Sequence, residues 1–409
     1  LTATKMKEVL AYNLPLRYRL YSVDGYDGGL LPIASYVTLE RLFLAEEDIW
    51  SDGRLRQQLR HIPPSRLLSL LNVKYVITDK MQDVWIDGVF YDLEHTVPLG
   101  TVSLEPPNVP DLATTDLGIV SYLTGSLDLE AGTPVARVSI TDEQGQTHTA
   151  TLRAGEHTAE GLYQPGTAQH PQAQVGHTWR DNEAGSDYVA VLDLGQTLRP
   201  QRIQIESLLP GEALRLRGLT LIDRSTGANR TVTIDPAYRL VHSGDVKVYE
   251  HVATLPRAFV VHQATVLADD EAALAALGNP AFDPAQTAIL AEGQELTGDI
   301  TGSPAEIVAY EPELVRVRAS LDTPGYLVLT DTDYPGWQAK VDGQPAPIVR
   351  ADLYFRAVAL AAGEHEITFH YRPTRTYLGL LLSLLAWLAW AVTGAALLLR
   401  IGRRNPSSV

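Results

Sequence analysis

Residues 330–343 read TDTDYPGWQAKVDG. A strand ends in acids, Pro335-Gly336 turns the chain, Trp337–Val341 starts a second strand, and Asp342-Gly343 is the two-residue signal for a tight hairpin. The same pattern recurs through most of the chain. TGSLDLEAG, ARVSITDEQGQTHTATL, YVAVLDLG and QRIQIESL supply short strands and turns between Phe90 and Ile234. Tyr188, Ala190 and Leu192 alternate with Val189, Val191 and Asp193, the period of a strand with two distinct faces. About forty residues after the opening stretch comes YLGLLLSLLAWLAWAVTGAALLL, residues 377–399, with no charge in 23 positions. As a helix it is about 35 Å long at ~1.5 Å per residue, enough to cross a ~30 Å hydrocarbon core. Trp387 and Trp390 lie in its middle and make no interfacial belt. The expected fold is therefore α+β, mainly β: antiparallel β-sandwich domains with a small α/β unit, ending in a single C-terminal transmembrane helix.

Five segments follow. Residues 1–95 are mixed α/β: Leu42–Leu59 has helical spacing weakened by Gly53, Ser65 is a candidate cap for SRLLSLL, and NVKYVITD reads as a strand. Residues 96–235 read as an inserted β-sandwich with a polar surface loop at 163–187. Residues 236–304 are mixed again, with DDEAALAALG as a helix opening on acids. Residues 305–372 form a membrane-proximal β domain, and 373–409 the transmembrane helix and a tail. The first residue is Leu1, with no leader ahead of it, so the chain reads as a fragment whose natural N-terminus is missing.

The net charge is −16 over 409 residues. Four of the 33 basic residues lie beyond Arg372 and no acid does, so residues 1–372 carry 29 basic against 49 acidic side chains, a net of −20. That surface repels nucleic acid, and no nucleic-acid partner is expected. Arg400, Arg403 and Arg404 outnumber Arg372 and Arg375 at the helix ends, which favours a cytoplasmic C-terminus and an extracytoplasmic bulk. There is no cysteine, which rules out disulfides and thiolate sites. The histidines are scattered, and no HExxH, Walker A, GxSxG or dinucleotide fingerprint occurs. No cofactor, metal site or catalytic residue is expected in this chain.

Several stretches resemble the YfhO family of bacterial membrane proteins: LLNVKYVITD at 70–79, VYEHVATLPRAFVV at 248–261, FDPAQTAIL at 282–290, GYDGG at 25–29, and above all the block from Tyr334 to Pro373 with the helix after it. The resemblance covers about two thirds of the chain, and residues 96–235 fit it least. Members of that family are large multi-pass proteins similar to GT-C glycosyltransferases, which use lipid-linked sugars. The resemblance implies an extracytoplasmic accessory portion of such a protein, acting in cell-envelope polysaccharide or glycopolymer modification, with the catalytic bundle outside this chain. A membrane-anchored glycan-binding or structural surface module is the alternative. The expected partners are the bilayer, through residues 377–399, and a glycan or lipid-linked sugar.

The candidate binding residues are Tyr26, Asp27, Trp179, Arg180, Asp331, Asp333 and Trp337, and each has a plainer reading. Asp331 and Asp333 form a D-x-D pair that could share a cation, or are solvent-facing strand-end residues. Trp337 could stack on a sugar, or pack in the core. Tyr26 and Asp27 could face substrate, or belong to a tight turn with Gly28-Gly29. Trp179 with Arg180 could form a sugar platform, or a loop-base anchor. The scaffold reading is the simpler in every case.

Overall fold

The computed structural model describes residues 14–23, 32–50, 54–59, 62–100, 103–162, 172–179, 185–298 and 302–404. The chain divides into two compact units. One comprises Leu1–Leu30 with Asp52–Thr254, the other Leu31–Ser51 with Leu255–Val409.

In the first unit, strands Ala228–Val232, Leu214–Asp223, Thr114–Leu123, Ser186–Leu198 and Gln174–Thr178 lie side by side, and Val97–Leu99 adds to one end of Leu214–Asp223. A second sheet is built from Pro200–Ser207, Pro134–Asp142 and Thr147–Arg153. Their inner faces meet over one core, with Leu117, Ile119 and Leu221 on one side and Val138, Ile140, Ile203 and Ile205 on the other. Val138 and Ile140 are two apart, as a half-buried strand requires. The outer face of the larger sheet is also covered. Val120 and Val189 pack there with Tyr91 and Leu93, from the hairpin Asp83–Ile86/Val89–Asp92 and the residue after it. Tyr91 lies directly over Gly118, where a Cβ would come within 2.4 Å of its Oη. A three-stranded sheet, ordered Tyr75–Thr78, Lys247–His251, Tyr238–Ser243, completes the unit.

The second unit is a sandwich too. Its five-stranded sheet runs Ala305–Glu311, Leu314–Leu321, Gly363–Tyr371, Trp337–Val341, Gln344–Ala346. The facing sheet has seven strands, with Gly325–Thr332 and Phe355–Leu360 paired near one side of it. Val315, Val317, Ile367 and Phe369 meet Val260, Leu327, Leu329 and Val358 between them. One pair is parallel, Gln263–Val266 with Thr287–Leu290, and the helix Asp270–Gly278 lies between them in sequence as the crossover. Asp269 caps that helix by accepting from the Ala272 N–H at 3.0 Å. The last strand passes into the helix Thr374–Arg404. Its Thr374–Leu398 stretch is long and apolar enough to span a bilayer, and none of it is buried against the protein.

The α+β, mainly β fold with one terminal apolar helix is the fold expected. Three local expectations are corrected. Ser65 is the first helical residue of Ser65–Leu70, not its cap. Pro64 holds the cap position and no side chain bonds the helix end, because Pro64 has already set an extended entry. Among the described residues, the stretch 42–59 holds no long helix, only the turn Glu46–Asp48 and one helical turn at Leu55–Gln58, since helix nucleation is costly and so short a segment gains few bonds to offset it. The polar stretch 163–187 is not all loop. Gln174–Thr178 pairs with Ser186–Val189 as an edge strand, where polar side chains cost nothing.

Candidate functional site

The opening stretch builds the best-defined polar site. Gly325–Thr332 is a buried strand whose register to Phe355–Leu360 shifts between Leu329 and Thr332. That bulge breaks the alternation, and the strand ends at Thr332. Asp331 and Asp333 therefore do not present a matched pair on one strand face.

Asp331 turns towards the arginines. Its Oδ2 accepts from Arg356 Nη2 at 2.9 Å, and its Oδ1 from Tyr310 Oη at 2.8 Å, with Arg257 Nη1 at 3.4 Å. Arg257 also donates to the Tyr310 hydroxyl. The solvent-facing reading of Asp331 is thereby corrected: it is the counter-ion of a guanidinium only 1% exposed. Arg356 sits across from Leu329 with its guanidinium 3.8 Å from the Trp337 ring centroid and 5.5 Å from Phe369. Its Nε and Nη1 find no hydrogen-bond acceptor among the described residues. Burial lowers its pKa, against the pull of Asp331, and burial with the Asp331 charge pushes Tyr310 up to about 12.

Asp333 lies just past the strand, its N–H bonded to Tyr354 O at 2.7 Å. Burial pushes its carboxyl up, with Arg356 and Arg350 opposing. It lines a cleft of about 490 Å³ with Tyr334, Gly336, Trp337, Lys340 and Ile348. Trp337 is half-buried. It packs on the sandwich core, stacks on Arg356 and stands 5.3 Å from the Tyr371 ring. So it serves both readings: part of the core, and wall of the cleft. The hairpin reading holds, with Val341 opposite Gln344 and positive φ at Asp342 and Gly343.

Trp179 belongs to the other unit. Its Nε1–H donates to Asp187 Oδ1 at 2.9 Å, and its ring meets Tyr122 edge-on at 4.9 Å. Gly185 and Gly161 make room for it: a Cβ at Gly185 would fall 1.9 Å from the ring. Buried Asp187 also takes His177 Nδ1 at 3.2 Å and lies 3.6 Å from Arg217 Nε. Tyr26, Asp27 and Arg180 lie outside the described residues. Asp331, Asp333 and Trp337 thus come together around Arg356, while Trp179 stands apart from them in sequence and unit.

Arg356, Tyr310, Arg257 and Lys340 escaped the sequence reading. Arg356 had a signal. It is in phase with Val358 and Leu360 in FRAVAL, so the strand period puts a charge on the core face.

These features define a class: a β-rich protein whose C-terminal sandwich leads straight into one helix long and apolar enough to cross a bilayer. Residues 297–383, the sandwich strands and the start of that helix, match the family described as bacterial membrane protein YfhO. The resemblance to that family rests on this segment, about a fifth of the chain, and with the apolar helix it supports a membrane location. No curated protein matches it. Among the similar solved structures are two of the arabinofuranosyltransferase AftD from Mycobacteria, the second a mutant. Each is 12% identical, with 76% and 74% of this chain covered and TM-scores of 0.15 and 0.16. This chain spans about a quarter of their length, 24% and 25%. At those TM-scores the likeness carries no argument about fold or activity.

Proposed function

We propose that this chain is the extracytoplasmic accessory portion of a membrane glycosyltransferase-like protein that modifies a cell-envelope polysaccharide or glycopolymer. One observation carries the reading: the YfhO match runs unbroken from the membrane-proximal sandwich into the helix, so the sandwich and its anchor form one continuous module of a membrane protein. The three arginines after the apolar run, against two before it, support an outside location for the bulk. The cleft beside Trp337 supports a glycan as ligand, because an indole face with carboxylate, amide and ammonium neighbours suits a sugar's mixed surface.

The test uses the whole natural protein in its own cells. Asp333→Asn and Lys340→Ala are expected to lower the sugar content of the modified envelope polymer, with the protein still present in the membrane fraction. Unchanged polymer in both variants contradicts the reading. Residues 1–409, purified alone, are expected to transfer no sugar from a lipid-phosphate donor.

A further inference from the structure

We infer that the Tyr334–Gly336 turn is a membrane-docking foot, resting in the headgroup layer of the bilayer that the chain's own helix enters. Strand register places the turn. Trp337 pairs with Tyr371 and Leu314 with His370, so the start of Trp337–Val341 and the turn at Glu311–Leu314 share the end of the sheet where Gly363–Tyr371 leaves for the membrane. The other end of the hairpin, at Gln344, lies about 14 Å further along the strands, four residues at ~3.4 Å each.

The foot cannot swing away from the helix. Arg372 donates its N–H to Gly336 O at 2.7 Å, and Tyr371 donates to Glu313 O at 2.9 Å. Gly336, at φ +115°, lies so close to Tyr371 and Pro373 that an added Cβ would fall 2.9 Å and 3.2 Å from them. No linker intervenes. The Thr376 and Tyr377 N–H groups already donate to Pro373 O, at 2.9 and 3.2 Å. The apolar run starts at Tyr377, only about 5 Å along the helix from Thr374 at ~1.5 Å per residue. That is roughly the depth of one headgroup layer, the ~5–7 Å by which each side of a bilayer exceeds its hydrocarbon core.

The chemistry of the foot fits a lipid–water interface. Tyr334 is 47% exposed, and Pro335 is exposed and offers no N–H. A tyrosine with its ring in the interface and its hydroxyl in water is the side chain enriched at that depth. Exposed Glu311 and Glu313 offset Arg372 and Arg375 on the same rim, so the contact does not depend on anionic lipid. It also fixes the Trp337 cleft beside the bilayer surface, since the cleft is lined by the foot itself.

The chain has no cysteine, so single-cysteine probes need no background removal. Tyr334→Cys, Pro335→Cys, Gln344→Cys and Tyr377→Cys, each carrying an environment-sensitive fluorophore, are placed by reconstituting the full chain in phosphatidylcholine vesicles with headgroup-region nitroxide lipid. The labels at 334 and 335 are expected to lose fluorescence as the label at 377 does, with the 344 label unaffected. The loss is expected to persist near 1 M salt, where the Debye length is about 3 Å. The inference is overturned if neither foot label is quenched beyond the 344 label, or if salt abolishes the quenching. It does not depend on the glycosyltransferase reading, which these probes leave untouched.

Discussion

Two buried cations show how single residues hold each unit. Lys247 is 1% exposed and meets Asp92 at 2.8 Å, Glu94 at 3.5 Å and Asp83, all three nearly buried. Burial alone would lower the lysine's pKa, but Asp92, Asp83 and Glu94 outweigh it and hold it above its ordinary value. Burial in turn pushes Asp83 and Glu94 up. Removing the cation leaves crowded carboxylates, so Lys247→Ala is expected to cost about 3–5 kcal/mol in denaturant unfolding. Asp331→Ala strands Arg356 in the same way and is expected to cost on the order of 3 kcal/mol, where a solvent-facing residue would cost almost nothing. Trp337→Ala is expected to cost about 3 kcal/mol, the low end for a packed aromatic because the ring is half-exposed. If Asp331→Ala leaves stability unchanged while Trp337→Ala does not, the arginine network is not what closes this end of the sandwich.

At the scale of elements, turns carried the most legible signals. Asp342-Gly343 and the helix opening at Asp270 were readable because their chemistry is local: positive φ at a tight turn, and acids at a helix N-terminus. The networks were not, because Asp331 meets Tyr310 and Arg257 only through strands far apart in sequence, and a bulge invisible in the alternation redirects it. The turn before Phe355 is a similar case. Asp352 and Leu353 both have positive φ, and the fully buried Asp352 carboxylate accepts the Ile289 N–H at 2.8 Å. Burial pushes this carboxyl up to about 7 despite that bond. An unfolded aspartate titrates near 3.9, so between about pH 4 and 7 the folded chain holds a proton that the unfolded chain has lost. This group's contribution therefore falls as pH rises through that window, by up to roughly 4 kcal/mol. Asp352→Asn keeps an acceptor and tolerates positive φ, so it is expected to be more stable than the parent at pH 8 and to lack this slope. Melts of the two proteins at pH 5 and pH 8 check it, and identical slopes would show that Asp352 is not the titrating group.

At the scale of the molecule, the helix was legible because a buried soluble helix rarely runs 23 residues without a charge. Which strands pair, and which end of the sandwich meets the membrane, came only with the register of Gly363–Tyr371. The proposed function depends most on the β-rich bulk lying outside the cell and the C-terminus inside. Single cysteines at Gln344 on the exposed hairpin and at Ser407 in the tail, probed with a membrane-impermeant maleimide on spheroplasts, test it most directly. Gln344→Cys is expected to be labelled in intact spheroplasts and Ser407→Cys only after permeabilisation. Labelling of Ser407→Cys in intact spheroplasts, with Gln344→Cys protected, would contradict this topology.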